Sequence, residues 1–133
     1  MPQDLQIFLI EDDADDIELL EVSLKDNHVG YNMDVIMEGD KVQDYLKNCK
    51  RLPHIIVMDL NLPRVHGREI IKQIKANEDF KNIPLVVLTT STAKEDIEYS
   101  YKMGADSFIT KPTTILGFNA TIGTIVQLAI NTK

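Results

Sequence analysis

Short apolar runs alternate along this chain with segments of helical period, and that alternation restricts the fold more than any other feature. Ile7-Phe-Leu-Ile10, Ile55-Ile-Val-Met58 and Leu85-Val-Val-Leu88 are continuous apolar runs, the pattern of strands covered on both faces. Tyr31 to Met37 and Ser107-Phe-Ile109 are weaker or shorter, as edge strands are. Ala14 to His28 reads as a helix with Ile17, Leu20 and Leu24 on one face and Gly30 as its stop. Lys41 to Lys50 carries Val42, Tyr45, Leu46 and Cys49 at helical offsets, and Arg68 to Asn77 points Ile70, Ile71 and Ile74 inward. Ala93 to Met103, closed by Gly104, is a fourth helix. A fifth runs from about Thr114 to about Ile130, with Ile115, Phe118, Ile122, Ile125 and Ala129 predicted against the sheet. The pattern predicts an α/β domain with a doubly wound, five-stranded parallel sheet. Placing the two weak strands at the edges gives the order 2-1-3-4-5, with the topological switch point between the first and third strands. A length of 133 residues suits a single domain, 1–133, with a core of its own.

Charge narrows the partners. Fourteen Lys plus Arg stand against 21 Asp plus Glu, a formal charge of −7, so the basic footprint of a nucleic-acid binder is missing and anionic membrane surfaces would repel the chain. No targeting segment is visible at Met1-Pro-Gln-Asp4. The uncharged stretch from Pro112 to Thr132 is broken by Asn119, Gly123 and Gln127, which makes it a poor membrane span. Cys49 is the only cysteine. It permits no intrachain disulfide or multi-cysteine metal site and fits a reducing, cytoplasmic setting.

The chemistry gathers at one edge. Glu11 and Asp12 follow the first strand, Asp59 the third, Thr89 the fourth and Lys111 the fifth. In the predicted topology all five lie at the carboxyl edge of the sheet, where open α/β sheets bind ligands. Three converging carboxylates repel one another unless a proton or cation intervenes. A few hard oxygen ligands with room for water suit Mg²⁺. With a lysine and a threonine hydroxyl added, the set suits a tetrahedral phosphoryl group, which an aspartate can accept covalently. Singly, each residue has a plainer use. Glu11 and Asp12 could cap the next helix, Asp59 could be a turn residue, Lys111 could be solvated, and the run Thr89-Thr-Ser-Thr92 should contain the cap of the fourth helix. Five such residues at one sheet edge favour the shared site.

Other candidates lean structural. His28, His54 and His66 lack metal-ligand spacing, Cys49 lies on an apolar helix face, and Met33, Met37, Met58 and Met103 read as packing. The acids from Asp13 to Glu21 read as a solvated helix face. No Gly-rich phosphate loop, GxGxxG or GxSxG is present.

Taken together, Ile7-Phe-Leu-Ile-Glu-Asp12, Ile55-Ile-Val-Met-Asp-Leu-Asn-Leu-Pro63 with Gly67, Val86-Val-Leu-Thr89 and Gly104-Ala-Asp-Ser-Phe-Ile-Thr-Lys-Pro112 make the chain resemble the receiver domain of two-component response regulators over essentially its whole length. The phrases Leu60-Asn-Leu-Pro63 and Leu88-Thr-Thr-Ser91 are most similar to stand-alone receivers that partner phytochrome-type histidine kinases. The resemblance implies a (βα)5, CheY-like, flavodoxin-like fold with no output domain. It implies Asp59 as phosphoacceptor, Asp12 as a direct Mg²⁺ ligand, Glu11 acting mainly through a water, and the Asn61 carbonyl as a further ligand. Lys111 and Thr89 would engage phosphoryl oxygens, and Phe108 would be the rotamer-switching aromatic. The Lys111–Pro112 bond is often cis in such domains. Thr90 stands where a small residue is frequent, and Asn61 and Ser91 occupy positions that tune dephosphorylation. The implied partners are a sensor histidine kinase and a downstream protein. The outer face of the last helix, with Leu116, Leu128 and Ile130 in no charged company, adds the expectation of a homodimer through the fourth-helix, fifth-strand, fifth-helix face.

Two other readings fit part of the pattern, a nucleophilic aspartate after a strand in one and the same topology in the other. A haloacid dehalogenase-like phosphohydrolase would use Asp59 as nucleophile, but usually carries an acid where this chain has Asn61. A flavin carrier would need a hydroxyl-rich loop where this chain has Glu11-Asp-Asp-Ala-Asp15.

Overall fold

Alternate residues of each central strand feed two separate cores. In the computed structural model, which describes residues 4–131, the elements run β1 (Leu5–Ile10), α1 (Ala14–Asp26), β2 (Tyr31–Ile36), α2 (Val42–Asn48), β3 (Ile55–Met58), α3 (Gly67–Ala76), β4 (Leu85–Thr89), α4 (Lys94–Lys102), β5 (Ser107–Thr110) and α5 (Ile115–Asn131). Met1 to Gln3, Thr132 and Lys133, on which the targeting and chain-end expectations bear, lie outside the described residues. All neighbouring strands are parallel, in the order β2-β1-β3-β4-β5, as the apolar pattern predicts.

Phe8, Ile10, Ile56, Met58, Leu85 and Val87 point to one face, where they pack with Val42, Leu46, Ile70, Ile71 and Ile74 from α2 and α3. Tyr45 of α2 stacks on Phe8 with ring centroids 3.9 Å apart. Leu5, Ile7, Leu9, Ile55, Val57, Val86 and Leu88 point the other way, against Leu20 and Leu24 of α1 and Phe118, Ile122 and Ile125 of α5. The period-two alternation of strands and the 3.6-residue stripe of helices thus meet on both sides of one sheet.

Several expectations need correction. His28, not Gly30, closes α1: it adopts φ 59° and its N–H donates to the Lys25 carbonyl, while the Val29 N–H donates to Leu24, so the left-handed turn of a helix stop comes two residues earlier. The stripe of α5 starts at Phe118, because Ile115 opens the helix and stays half exposed. Leu128 is half buried against the second core rather than on the outer face, whereas Leu116 is 80% exposed. Met37 is exposed rather than part of either core. The cap of α4 is Ala93, whose side chain has no capping group; Ser91 Oγ instead accepts from the Ala93 N–H. No peptide bond among the described residues is cis, so Lys111–Pro112 is trans.

Two glycines separate structural need from tolerance. A Cβ on Gly67 would lie 2.5 Å from Leu60 Cα and 2.8 Å from Leu60 O, and this is backbone just after Asp59 that cannot yield cheaply. A Cβ on Gly123 would meet nothing within 4 Å. Gly67→Ala is therefore expected to destabilise the fold by about 1–3 kcal/mol, while Gly123→Ala stabilises it by about 0.5–1 kcal/mol through helix propensity. Urea denaturation of both variants checks the opposite signs.

Candidate functional site

The parallel ladders run one residue past the strands, and those extra rungs place the polar groups. The Glu11 N–H donates to the Ile36 carbonyl at 3.0 Å, the Asp59 N–H to Ile10 at 3.0 Å, and the Lys111 N–H to Thr89 at 2.8 Å. Glu11, Asp59 and Lys111 are thus anchored by the neighbouring strand before their side chains make any contact. The buried runs set where the ladders end, so the core positions the site.

Lys111 stands at the centre. Its Nζ lies 2.7 Å from Asp16 Oδ2, 2.8 Å from Asp59 Oδ2 and 2.9 Å from Glu11 Oε1. An ammonium has three donors, and here each has a carboxylate at charge-assisted distance. The Lys111, Glu11 and Asp59 side chains are buried. Burial works to lower the lysine pKa, but the hydrogen bonds to Asp16, Asp59 and Glu11 outweigh it and hold the group above its ordinary value. Glu11 behaves oppositely. Burial pushes its carboxyl up to about 7, against the lowering effect of Lys111 and of the Asp13 N–H that donates to Glu11 Oε2.

Glu11, Asp12 and Asp59 each offer a carboxylate oxygen, and these oxygens lie within 4.8 Å of one another. Three hard anionic ligands so close, two buried and one open to solvent, fit a small divalent cation that keeps some of its waters. Asp13, not Glu11 or Asp12, caps α1, accepting from the Asp15 and Asp16 N–H groups. The two preceding acids are thereby left free of that task.

Thr89 is fully buried. Its Oγ1 accepts from the Ser91 N–H at 3.3 Å and lies 3.5 Å from Asn61 Nδ2. Asn61 also donates its backbone N–H to Asp59 Oδ1 at 3.1 Å, and its amide reaches Thr90 Oγ1 at 3.4 Å. The loop after β4 is tied further out. Ser91 Oγ donates to Asp96 Oδ2 at 2.7 Å, and Arg68 Nε and Nη2 both reach Asp96 Oδ1. The Ser91 and Arg68 contacts overcome partial burial and hold the Asp96 carboxyl below its ordinary value. The guanidinium also lies 5.3 Å from the Tyr99 ring centroid.

The structure therefore brings Glu11, Asp12, Asp59, Asn61, Thr89 and Lys111 together, as the sequence predicts. Phe108 is not among them: it lies on β5 opposite Val87 of β4 and packs half buried against the first core. Asp16 is the residue that sequence reasoning missed, having been read as part of a solvated face. A signal was present, since Asp16 sits four residues before Leu20, on the stripe that α1 turns inward. The histidines have structural roles where bonds are seen: His54 Nδ1 accepts from the Gln6 N–H, and His66 caps α3 through Arg68. Cys49 Sγ donates to the Arg51 carbonyl.

Comparison with known proteins converges on one family. Residues 7–121 match the response regulator receiver domain. The response regulator Rcp1 of Synechocystis sp. is 36% identical over 111 residues, covering 79% of this chain and 75% of that protein. The phosphorylated cyanobacterial phytochrome response regulator RcpA superposes with a TM-score of 0.85 at 32% identity, covering 97% of this chain and 96% of the other. An Mn²⁺-bound form of Rcp1 superposes with a TM-score of 0.83 at 30% identity, with the same coverage. The phosphohydrolase and flavin-carrier readings find no support in these matches. No helix among the described residues is long and apolar enough to cross a membrane. Strand order, sheet-edge chemistry and kinship agree, and the chain belongs to the response regulator receiver domain family, the phosphoacceptor switches of two-component signalling that take phosphate from histidine kinases.

Proposed function

We propose that Asp59 is the phosphoacceptor of a Mg²⁺-dependent switch. The observation that carries the proposal is a buried aspartate at the end of β3, bonded to Lys111 and sharing an ion-sized space with Glu11 and Asp12. In the reaction one Asp59 oxygen attacks phosphorus of a kinase phosphohistidine. The P–N bond breaks, its electron pair returns to the imidazole, and an acyl phosphate forms. Hydrolysis reverses the modification when water attacks the same phosphorus and restores the carboxylate. These steps on its own side chain are the only chemistry assigned to the domain.

Asp12, Asp59 and the Asn61 carbonyl would hold Mg²⁺ directly, with Glu11 acting mainly through a water. The ion supplies charge neutralisation at the phosphoryl oxygens. Lys111 would exchange Asp59 Oδ2 for a phosphoryl oxygen. Thr89 would leave the Ser91 N–H to donate to another, and Phe108 would turn inward behind it. Reversing a 1:99 population by phosphorylation takes a differential of about 5.5 kcal/mol. The kinship with the phytochrome response regulator RcpA supports a phytochrome-type histidine kinase as the donor, and the lone Cys49 fits a cytoplasmic setting. A downstream protein would read the switched face. Exposed Ile115, Leu116 and Tyr101 support a homodimer through α4, β5 and α5.

Incubation with Mg²⁺ and acetyl phosphate is expected to give one labile phosphoryl adduct by intact mass, absent in Asp59→Asn. An adduct that survives that substitution removes Asp59 from the role.

Glu11 makes metal binding depend on pH. Its carboxyl, ordinarily near 4.5, sits at about 7 in the metal-free fold. The folded state thus keeps a proton that the unfolded chain gives up, and this group costs stability as pH rises from about 4.5 to 7. A cation must displace that proton. Mg²⁺ affinity measured by calorimetry should be flat above pH 7 and fall by up to about tenfold per unit below it, with the dependence lost in Glu11→Gln.

Light scattering at high concentration, with and without beryllofluoride, is expected to show a dimer that Leu116→Asp dissociates. A monomer under both conditions removes the homodimer.

A further inference from the structure

Lys111 is held by three acids, and two of them have other tasks. Asp59 Oδ2 and Glu11 Oε1 are 2.8 and 2.9 Å from Nζ. Both residues also belong to the trio whose oxygens converge on the cation space, and Asp16 does not. Asp16 Oδ2 makes the shortest of the three contacts, 2.7 Å, from the first turn of α1, with its side chain 26% exposed. Lysine is a point charge on a flexible four-carbon stem. The backbone bond to Thr89 fixes only the root of that stem.

We propose that Asp16 is a positioning residue for phosphoryl transfer, anchoring the Lys111 ammonium from the α1 side while Asp59 and Glu11 change partners. The inference rests on the reading of Asp59 as phosphoacceptor and adds a residue to it. When Asp59 becomes an acyl phosphate and Glu11 turns toward a cation, Asp16 is the one carboxylate still free to hold the lysine. The remaining N–H bonds then stay aimed at the reacting oxygens. An acid on the inward stripe of α1 is unfavourable without such a partner, and the ion pair accounts for its presence there.

Asp16→Ala and Asp16→Asn separate position from charge, since asparagine keeps an oxygen that accepts from Nζ. Three quantities are measured: the initial rate of phosphorylation by acetyl phosphate, Mg²⁺ affinity by calorimetry, and proton exchange of the Lys111 ammonium by ¹⁵N NMR in the metal-free protein. The alanine variant is expected to be about tenfold slower, with Mg²⁺ affinity changed by clearly less than the rate and a fast-exchanging ammonium. The asparagine variant should recover most of the rate and the slow exchange. An alanine variant at the parent rate overturns the inference. So does asparagine as slow as alanine, which would point to charge, or Mg²⁺ affinity falling in step with rate, which would point to general distortion. Parent protein that takes up no phosphoryl group at all would instead overturn the reading of Asp59, and this inference with it.

Discussion

Carboxylates cannot be gathered at the edge of an apolar sheet unless something positive is gathered with them. In this chain that counter-charge is the ammonium of Lys111, in contact with Asp16, Asp59 and Glu11 at once. Acids held this way are ready for a divalent cation, because their mutual repulsion is relieved but not removed. Glu11 records the balance: a buried carboxyl with a lysine on one oxygen and still a raised pKa. The lysine supplies positive charge beside the space where a cation would add more.

Little of this placement depends on the side chains themselves. The backbone rungs beyond β1, β3 and β5 put Glu11, Asp59 and Lys111 in position, and those rungs exist because the strands are locked by two apolar cores. Gly67 contributes from below. Its missing side chain lets α3 press against Leu60, which sets the path of the chain leaving Asp59. Rigidity in the scaffold thus leaves the polar side chains free to exchange partners without moving the residues that carry them.

The fold was legible because its two signals do not compete. Continuous apolar runs marked β1, β3 and β4, and helix-period stripes marked the covering layers, so the order of strands followed from which were weak. The site was legible through position, since Glu11, Asp12, Asp59 and Lys111 follow a strand and Thr89 ends one. What stayed hidden were choices between near-equal local options. His28 took the left-handed stop although Gly30 was the better-known candidate. Gly30 is instead the site of a close approach by the Asp4 side chain. Ile115 fits the α5 stripe by periodicity yet lies in the opening turn, half exposed. Asp16 was lost in a run of acids, because composition alone does not say which member of a charged run faces inward. Its spacing from Leu20 carried that information.

Ser91 accepts from Ala93, donates to Asp96 and gives its own N–H to Thr89. Asp96 lies in the first turn of α4 and is clasped by Arg68 in the first turn of α3. A shift of the Thr89 hydroxyl therefore severs a strut or drags two helix ends with it. The rim of the pocket and the starts of α3 and α4 are joined by a train of short polar links, so the Thr89 hydroxyl has a direct mechanical route to both helices.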